Sequence, residues 1–238
     1  MKKIITAVII LLFARLPGTA TGNGGGTSFK FLQIPPSARA AALGGAGTAD
    51  ADEISGFWYN PAVVAERDSY ELSFMYNSYF EGVNQQNFSA GLKNNWGFSM
   101  NYLDLGDFDR TTLTNPSGND LNGYGGSDIA VAAGYGRRFG EISAGMSVKY
   151  VREEIDGTYA QTACLDGGVL YDIPRRIKYA GGTAVGLSVR NIGEKAEFVT
   201  EEEALPAELR MGIKRKVKAA DILTVSVLAD TVKTFGEG

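Results

Sequence analysis

Histidine is absent from this 238-residue sequence, and cysteine occurs once, at Cys164. The first absence removes Ser-His and Cys-His catalysis, most zinc chemistry and any simple charge switch near neutral pH. The second excludes an intrachain disulfide, and the place of Cys164 inside an alternating run marks it as a small packing residue. Long apolar runs are missing too. The stretch Ile4 to Phe13 is too short to cross a bilayer as a helix, which takes about 20 residues, and nothing after it approaches that length. Asp50, Asp52 and Glu53 lack the Asp-x-Asp-x-Asp-Gly register of a calcium loop, so they read as loop solvation or as partners of Arg39. No nucleophile motif and no outstanding carboxylate pair occur. A basic excess is also lacking: the net charge is −4, and the closest run, Lys214, Arg215, Lys216 and Lys218, reads as a solvated turn between strands. These absences argue against an enzyme, a metal, a cofactor or a nucleic-acid partner.

Glycine is what the chain has in plenty, with 31 residues, about twice the average share of roughly 7%. The N-terminus, MKKIITAVIILLF followed by PGTATG, sets two lysines before a short apolar stretch and a small-x-small site at Gly18-Thr19-Ala20. It reads as a secretory signal peptide over 1–20, and its removal takes Lys2, Lys3 and Arg15 away, moving the charge from −4 to −7. Residues 21–66 show no period of two. Pro35 and Pro36 interrupt them, Ser37 is placed to open a short helix through the alanines, and Gly44 and Gly45 are placed to end it.

From Tyr70 the pattern becomes strands. Tyr70, Leu72, Phe74 and Tyr76 oppose Glu71, Ser73 and Asn77; Trp96, Phe98, Met100 and Tyr102 oppose Gly97, Ser99 and Asn101. Ile142, Ala144, Met146, Val148 and Tyr150 oppose Ser143, Gly145, Ser147 and Lys149. With further runs at Phe88 to Lys93, Ile129 to Gly136, Leu165 to Asp172, Val185 to Arg190, Leu209 to Lys214 and LTVSVLAD, about nine strands are predicted over 67–238. Such alternation fits either a soluble sheet with its apolar face on a core or a membrane barrel with that face on lipid. Four features favour the barrel: the export signal; loops that alternate long (Ser78 to Gln86, GDFDRTTLTNPSGNDLNGYGGS, the medium EEIDGTY, the acidic EKAEFVTEEEALP) and short (Asn94-Asn95, RRFGE, the IPRRIKY turn, KVKAAD); runs of about 11 residues, long enough to cover an apolar band of about 25 Å; and aromatics at run ends. The bulky rows are then expected to face lipid and the small rows a lumen filled by the N-terminal segment. Lumenal Lys149, Asp166, Arg190 and Arg210 would pair with that plug or line a path. A secreted soluble β-sandwich for adhesion or binding is the alternative, and it would bury Ile142 and Val148 between two sheets.

The stretch RAAALGGAGTADADEISGFWYNPAVVA, Arg39 to Ala65, resembles the N-terminal signature of the PorV/PorQ family of outer-membrane proteins, which is similar to the FadL-type long-chain fatty acid transporters. The resemblance is carried by Arg39-Ala40, the Gly44-Gly45-Ala46 turn, the acids Asp50 to Glu53 with Asp52, and Tyr59-Asn60-Pro61-Ala62. GMSVKYVREEI, ACLDGGVLYD, LSVRNIG and LPAELRMGI continue it in order. It implies an all-β, antiparallel, FadL-like transmembrane barrel of 14 strands with an N-terminal plug, in the outer membrane after Sec-type export. The implied role is noncatalytic: transport of hydrophobic small molecules, or an accessory part in type IX-like protein secretion, with outer-membrane lipid and secretion components as partners. Nine strands is an odd number, and a closed wall needs an even one, so about five further strands and a longer parent chain are expected.

Overall fold

Alternation at period two leaves each strand one apolar and one small or polar face, and the structure arranges these strands as a single curled antiparallel sheet, a half-barrel. The structure is a computed structural model that describes residues 28–119, 121–174, 182–198, 201–220 and 223–235. The leader expected over 1–20 and most of the IPRRIKY turn lie outside the described residues. The strands are β1 (Glu71–Ser78), β2 (Asn84–Gly91), β3 (Trp96–Phe108), β4 (Tyr124–Phe139), β5 (Ile142–Ile155), β6 (Thr158–Asp172) and β7 (Thr183–Gly193). A two-stranded hairpin, β8 (Ala196–Phe198) and β9 (Glu201–Glu203), precedes β10 (Ala207–Ala220) and β11 (Leu223–Phe235). The main sheet has nine strands in the order β1-β2-β3-β4-β5-β6-β7-β10-β11, each paired with its sequence neighbour across a turn, apart from the inserted hairpin. Among the described residues, β1 and β11 are its open edges.

Several boundaries differ from expectation for local reasons. EEIDGTY is not a medium loop: β5 and β6 run on to a tight turn at Asp156 and Gly157, both with positive φ (51° and 73°), the backbone a two-residue hairpin requires. The polar run Asn84–Gln86 belongs to β2 and not to the first loop, because it pairs with Tyr102–Asp104 on β3. The acidic loop EKAEFVTEEEALP contains the β8–β9 hairpin. Loop length is therefore not strictly sorted between the two rims. The basic run is not a turn either: Lys214, Arg215, Lys216 and Lys218 lie within β10, and Lys214 is buried.

The two faces divide as the parity of the sequence sets them. On β5, Ile142, Met146, Val148 and Tyr150 are 46%, 65%, 52% and 44% exposed, whereas Ser143, Ser147 and Lys149 are at most 4% exposed. Among the described residues no second sheet covers the apolar face, so the sandwich arrangement, with Ile142 and Val148 buried, is not the one adopted. The core lies on the concave side, where Phe29, Phe31, Leu32 and Trp58 of the N-terminal segment pack on Leu103, Ala130, Val151, Ala160 and Cys164 of the wall.

Candidate functional site

Short helical pieces carry the N-terminal segment across the concave face. Ser37 caps α1 (Ala38–Ala42), its side chain accepting from Ala40 N at 3.1 Å, and Gly44 and Gly45 end the helix with φ of 64° and 78°. A 3-10 turn, Ile54–Trp58, is followed by a second, Pro61–Glu66, for which Asn60 is the cap and Pro61 the first residue. Asn60 is fully buried. Its Oδ1 accepts from Ala62 N at 3.0 Å, and its Nδ2 donates to the carbonyls of Thr48 (2.9 Å) and Val169 (3.2 Å), tying two parts of the segment to β6.

Close approach is made possible by a stripe of glycines across the wall. Gly97, Gly134, Gly145, Gly168, Gly186 and Gly212 come from β3, β4, β5, β6, β7 and β10, and the ladder pairs Gly97 with Gly134, Gly145 with Gly168 and Gly186 with Gly212. A Cβ at Gly145 would lie 2.4 Å from the Pro61 carbonyl oxygen, and one at Gly186 would lie 2.2 Å from that of Thr48. Backbone lies on backbone there, which only glycine permits.

Buried charges flank the stripe. Lys149 donates to Asp166 (2.9 Å) and to Asn191 Oδ1 (2.8 Å) and stands 4.6 Å from the Trp58 ring centre. Arg190, with no exposure, bridges Glu208 (2.9 Å) and the Leu32 carbonyl (3.3 Å). Arg210 donates to the Gly45 carbonyl (2.7 Å) and Thr48 Oγ1 (3.1 Å) and lies 4.5 Å from the Tyr59 ring centre. Asp230 of the edge strand β11 accepts from the amides of Gly47 (3.0 Å) and Thr48 (2.9 Å). At the opposite edge, Glu71 of β1 accepts from Ile54 N (2.7 Å) and pairs with Arg67 (2.5 Å). The segment thus reaches from one edge of the half-barrel to the other. Such buried ions are tolerated because each meets an opposite charge and further hydrogen bonds.

Nearer the short-turn rim, Lys214 contacts Asp50 (2.6 Å) and Asp52 (2.5 Å), Lys216 contacts Asp52 (2.6 Å), and Arg39 pairs with Asp50 (3.0 Å). Burial works to raise the Asp52 carboxyl, but the hydrogen bonds and charges of Lys214 and Lys216 outweigh it and hold it below its ordinary 3.8. Burial likewise raises the Tyr59 phenol, against the fields of Arg190 and Arg210. A cavity of about 390 Å³ opens beside this latch, lined by Asp52, Arg67, Arg138, Thr183 and Lys214 among others.

The six motif residues therefore have distinct places. Arg39 and Asp52 join the latch, Gly44 and Gly45 shape the turn that Arg210 grips, and Asn60 and Pro61 sit on the glycine stripe. Sequence reasoning missed Glu208, Asp230, Lys214 and Asn191. Parity was the usable signal for two of them, since Glu208 shares a face with Arg210, and Lys214 lies four residues further on that face.

The profile of the Uncharacterised protein family UPF0164 matches residues 14–167. The chain belongs to that family. The UPF0164 match takes in the segment from Ser28 to Glu66, β1 to β5 and much of β6; Arg190, Glu208, Arg210, Lys214 and Asp230 lie beyond it. Comparison with curated proteins returned no match.

Proposed function

We propose that this chain forms wall and plug of a FadL-like outer-membrane β-barrel of the PorV/PorQ type, reached by Sec-type export. In this reading it is noncatalytic and takes part in moving hydrophobic compounds, or secreted proteins, across the outer membrane. The observation that carries the reading is the inverted division of the sheet: bulky apolar rows exposed on the convex side, and charges buried under a plug on the concave side. Nine strands at about 4.8 Å spacing span roughly 40 Å, and Ile142 to Tyr150 covers about 20 Å along the normal at the usual tilt. That apolar surface, on the order of 800 Å², exceeds the roughly 300–600 Å² patch a soluble monomer leaves contiguous. Hydrocarbon also requires that the β1 and β11 edges be paired by strands outside this sheet, since unsatisfied backbone groups there cost several kcal/mol each.

The concave charges support a structural role over a chemical one. Lys149, Asp166, Arg190 and Glu208 are held by one another and by plug carbonyls, and none is presented to a substrate. The test is extraction of expressing cells with alkaline carbonate. Retention in the membrane pellet, with higher single-channel conductance of the full-length protein after deletion of Phe31 to Ala65, is expected. Recovery of the chain in the soluble periplasmic fraction would end the membrane reading, and unchanged conductance would end the plug's role as a barrier.

A further inference from the structure

The outer face holds a second pattern at its short-turn rim. Lys93, in the turn between β2 and β3, places its ammonium 5.5 Å from the ring centre of Tyr70, and Arg137 on β4 places its guanidinium 5.4 Å from that of Phe139. Next to these cations along the strands stand Trp96 and Tyr135, opposite each other in the ladder with ring centres 5.5 Å apart. Lys93 and Arg137 are exposed, and neither forms an ion pair among the described residues. The other rim differs: Arg152 also lies over an aromatic ring, that of Tyr159, yet pairs with Glu154 at 2.7 Å, and Arg110 pairs with Asp156. Arg110 and Arg152 are neutralised at that rim, where Lys233 alone stands over a ring, that of Phe235 at 5.2 Å, without an ion pair among the described residues; the short-turn rim leaves two such charges uncompensated beside a Trp-Tyr pair.

An unpaired cation on an aromatic ring at the edge of an apolar wall has a natural counterion. Tyr and Trp settle at the bilayer interface, Lys and Arg extend from that depth toward the phosphates, and a guanidinium matches phosphate oxygens through paired N–H donors. We propose that Lys93 and Arg137, flanked by Trp96 and Tyr135, bind the phosphate of an anionic phospholipid headgroup in the leaflet at the short-turn rim. The inference rests on the membrane reading above and adds to it a lipid preference and a place for it. Arg110 and Arg152 at the other rim, already paired, contribute no such preference.

Trp96 is a built-in reporter, 44% exposed on the outer face, whereas Trp58 is buried in the plug. The full-length protein, with its sheet edges paired, is reconstituted in bilayers containing a minor fraction of brominated phosphatidylglycerol or brominated phosphatidylcholine, and quenching of Trp96 measures which lipid sits beside it. Wild type is expected to favour the glycerol lipid on the order of tenfold at low salt, the scale two surface cations supply, with loss of the preference in high salt. Lys93→Gln with Arg137→Gln should reduce the preference to about unity while leaving quenching by both lipids in place, and Arg152→Gln should leave it intact. Equal quenching by the two lipids in wild type, or a preference that survives the double substitution, would overturn the headgroup site and leave the membrane reading standing. Absence of quenching by either lipid, with the protein left in the supernatant, would overturn both.

Discussion

Adding one methyl group at Gly145 tests whether the glycine stripe seats the plug. Its Cβ would lie 2.4 Å from the Pro61 carbonyl oxygen and 2.7 Å from Ala62 N, and both are backbone atoms that cannot rotate aside. Restoring ordinary contact needs a displacement of roughly 1 Å, either of the plug or of β5. Both are anchored: the plug through Asn60 to Thr48 and Val169, and β5 through full ladders to β4 and β6. Overpacking of this kind costs about 1–3 kcal/mol, a change of roughly 5- to 150-fold in the ratio of seated to lifted plug. Amide hydrogen exchange over residues 48–64 reads that ratio directly, and Gly145→Ala should speed exchange there by such a factor while β3 and β4 stay protected. Gly167→Ala is the internal control. Its added Cβ meets nothing within 4 Å, so the change should be neutral or stabilising by up to about 1 kcal/mol through the unfolded chain. Equal protection of the plug in wild type and Gly145→Ala, or equal loss in both variants, would refute the claim that close backbone contact at the stripe holds the plug.

Two further outcomes follow from the buried charges. Lys149→Met leaves Asp166 buried without its cation and should cost about 3–5 kcal/mol in chemical denaturation, most of it recovered by adding Asp166→Asn; a double variant as unstable as the single one would mean the pair is not the source of the loss. The latch should weaken in acid. Because Asp52 is held below its ordinary value when folded, its contribution is present above that value and disappears as pH falls through the folded one, below roughly pH 4. In a Trp96→Phe background, emission of Trp58 should shift to the red over that range as the plug lifts, and Asp52→Asn should flatten this part of the profile; an unchanged profile in Asp52→Asn would assign the transition to other groups.

Much of the wall was legible in advance because strand parity is a local property. Wherever bulky and small residues alternate, as in Trp96 to Tyr102 or Ile142 to Tyr150, the strand and its two faces follow from the chain alone. Legibility failed where that contrast vanished. Asn84 to Gln86 are polar on both faces, so only pairing with β3 identified them as strand. Arg152, Glu153 and Glu154 broke the apolar alternation of β5 and hid its continuation to the Asp156-Gly157 turn. The basic run of β10 was misread because one face of it points inward to acids of the plug 164 residues earlier in sequence.

The plug site shows the same boundary. Ser37, Gly44, Gly45, Asn60 and Pro61 advertise their local geometry through capping and turn chemistry, which needs only near neighbours. The partners of Arg190, Arg210 and Asp230 lie on elements far apart in sequence, and only the curl of the sheet carries them to one another across the concave side. The amino-acid order by itself determined which face of each ribbon is greasy and which residues begin and end the short helices, because sterics and hydrogen bonding over a few residues suffice. Which charges meet, which glycines receive another backbone, and that no described residue covers the greasy face are matters of tertiary structure, since they depend on how strands distant in the chain curve around the N-terminal segment.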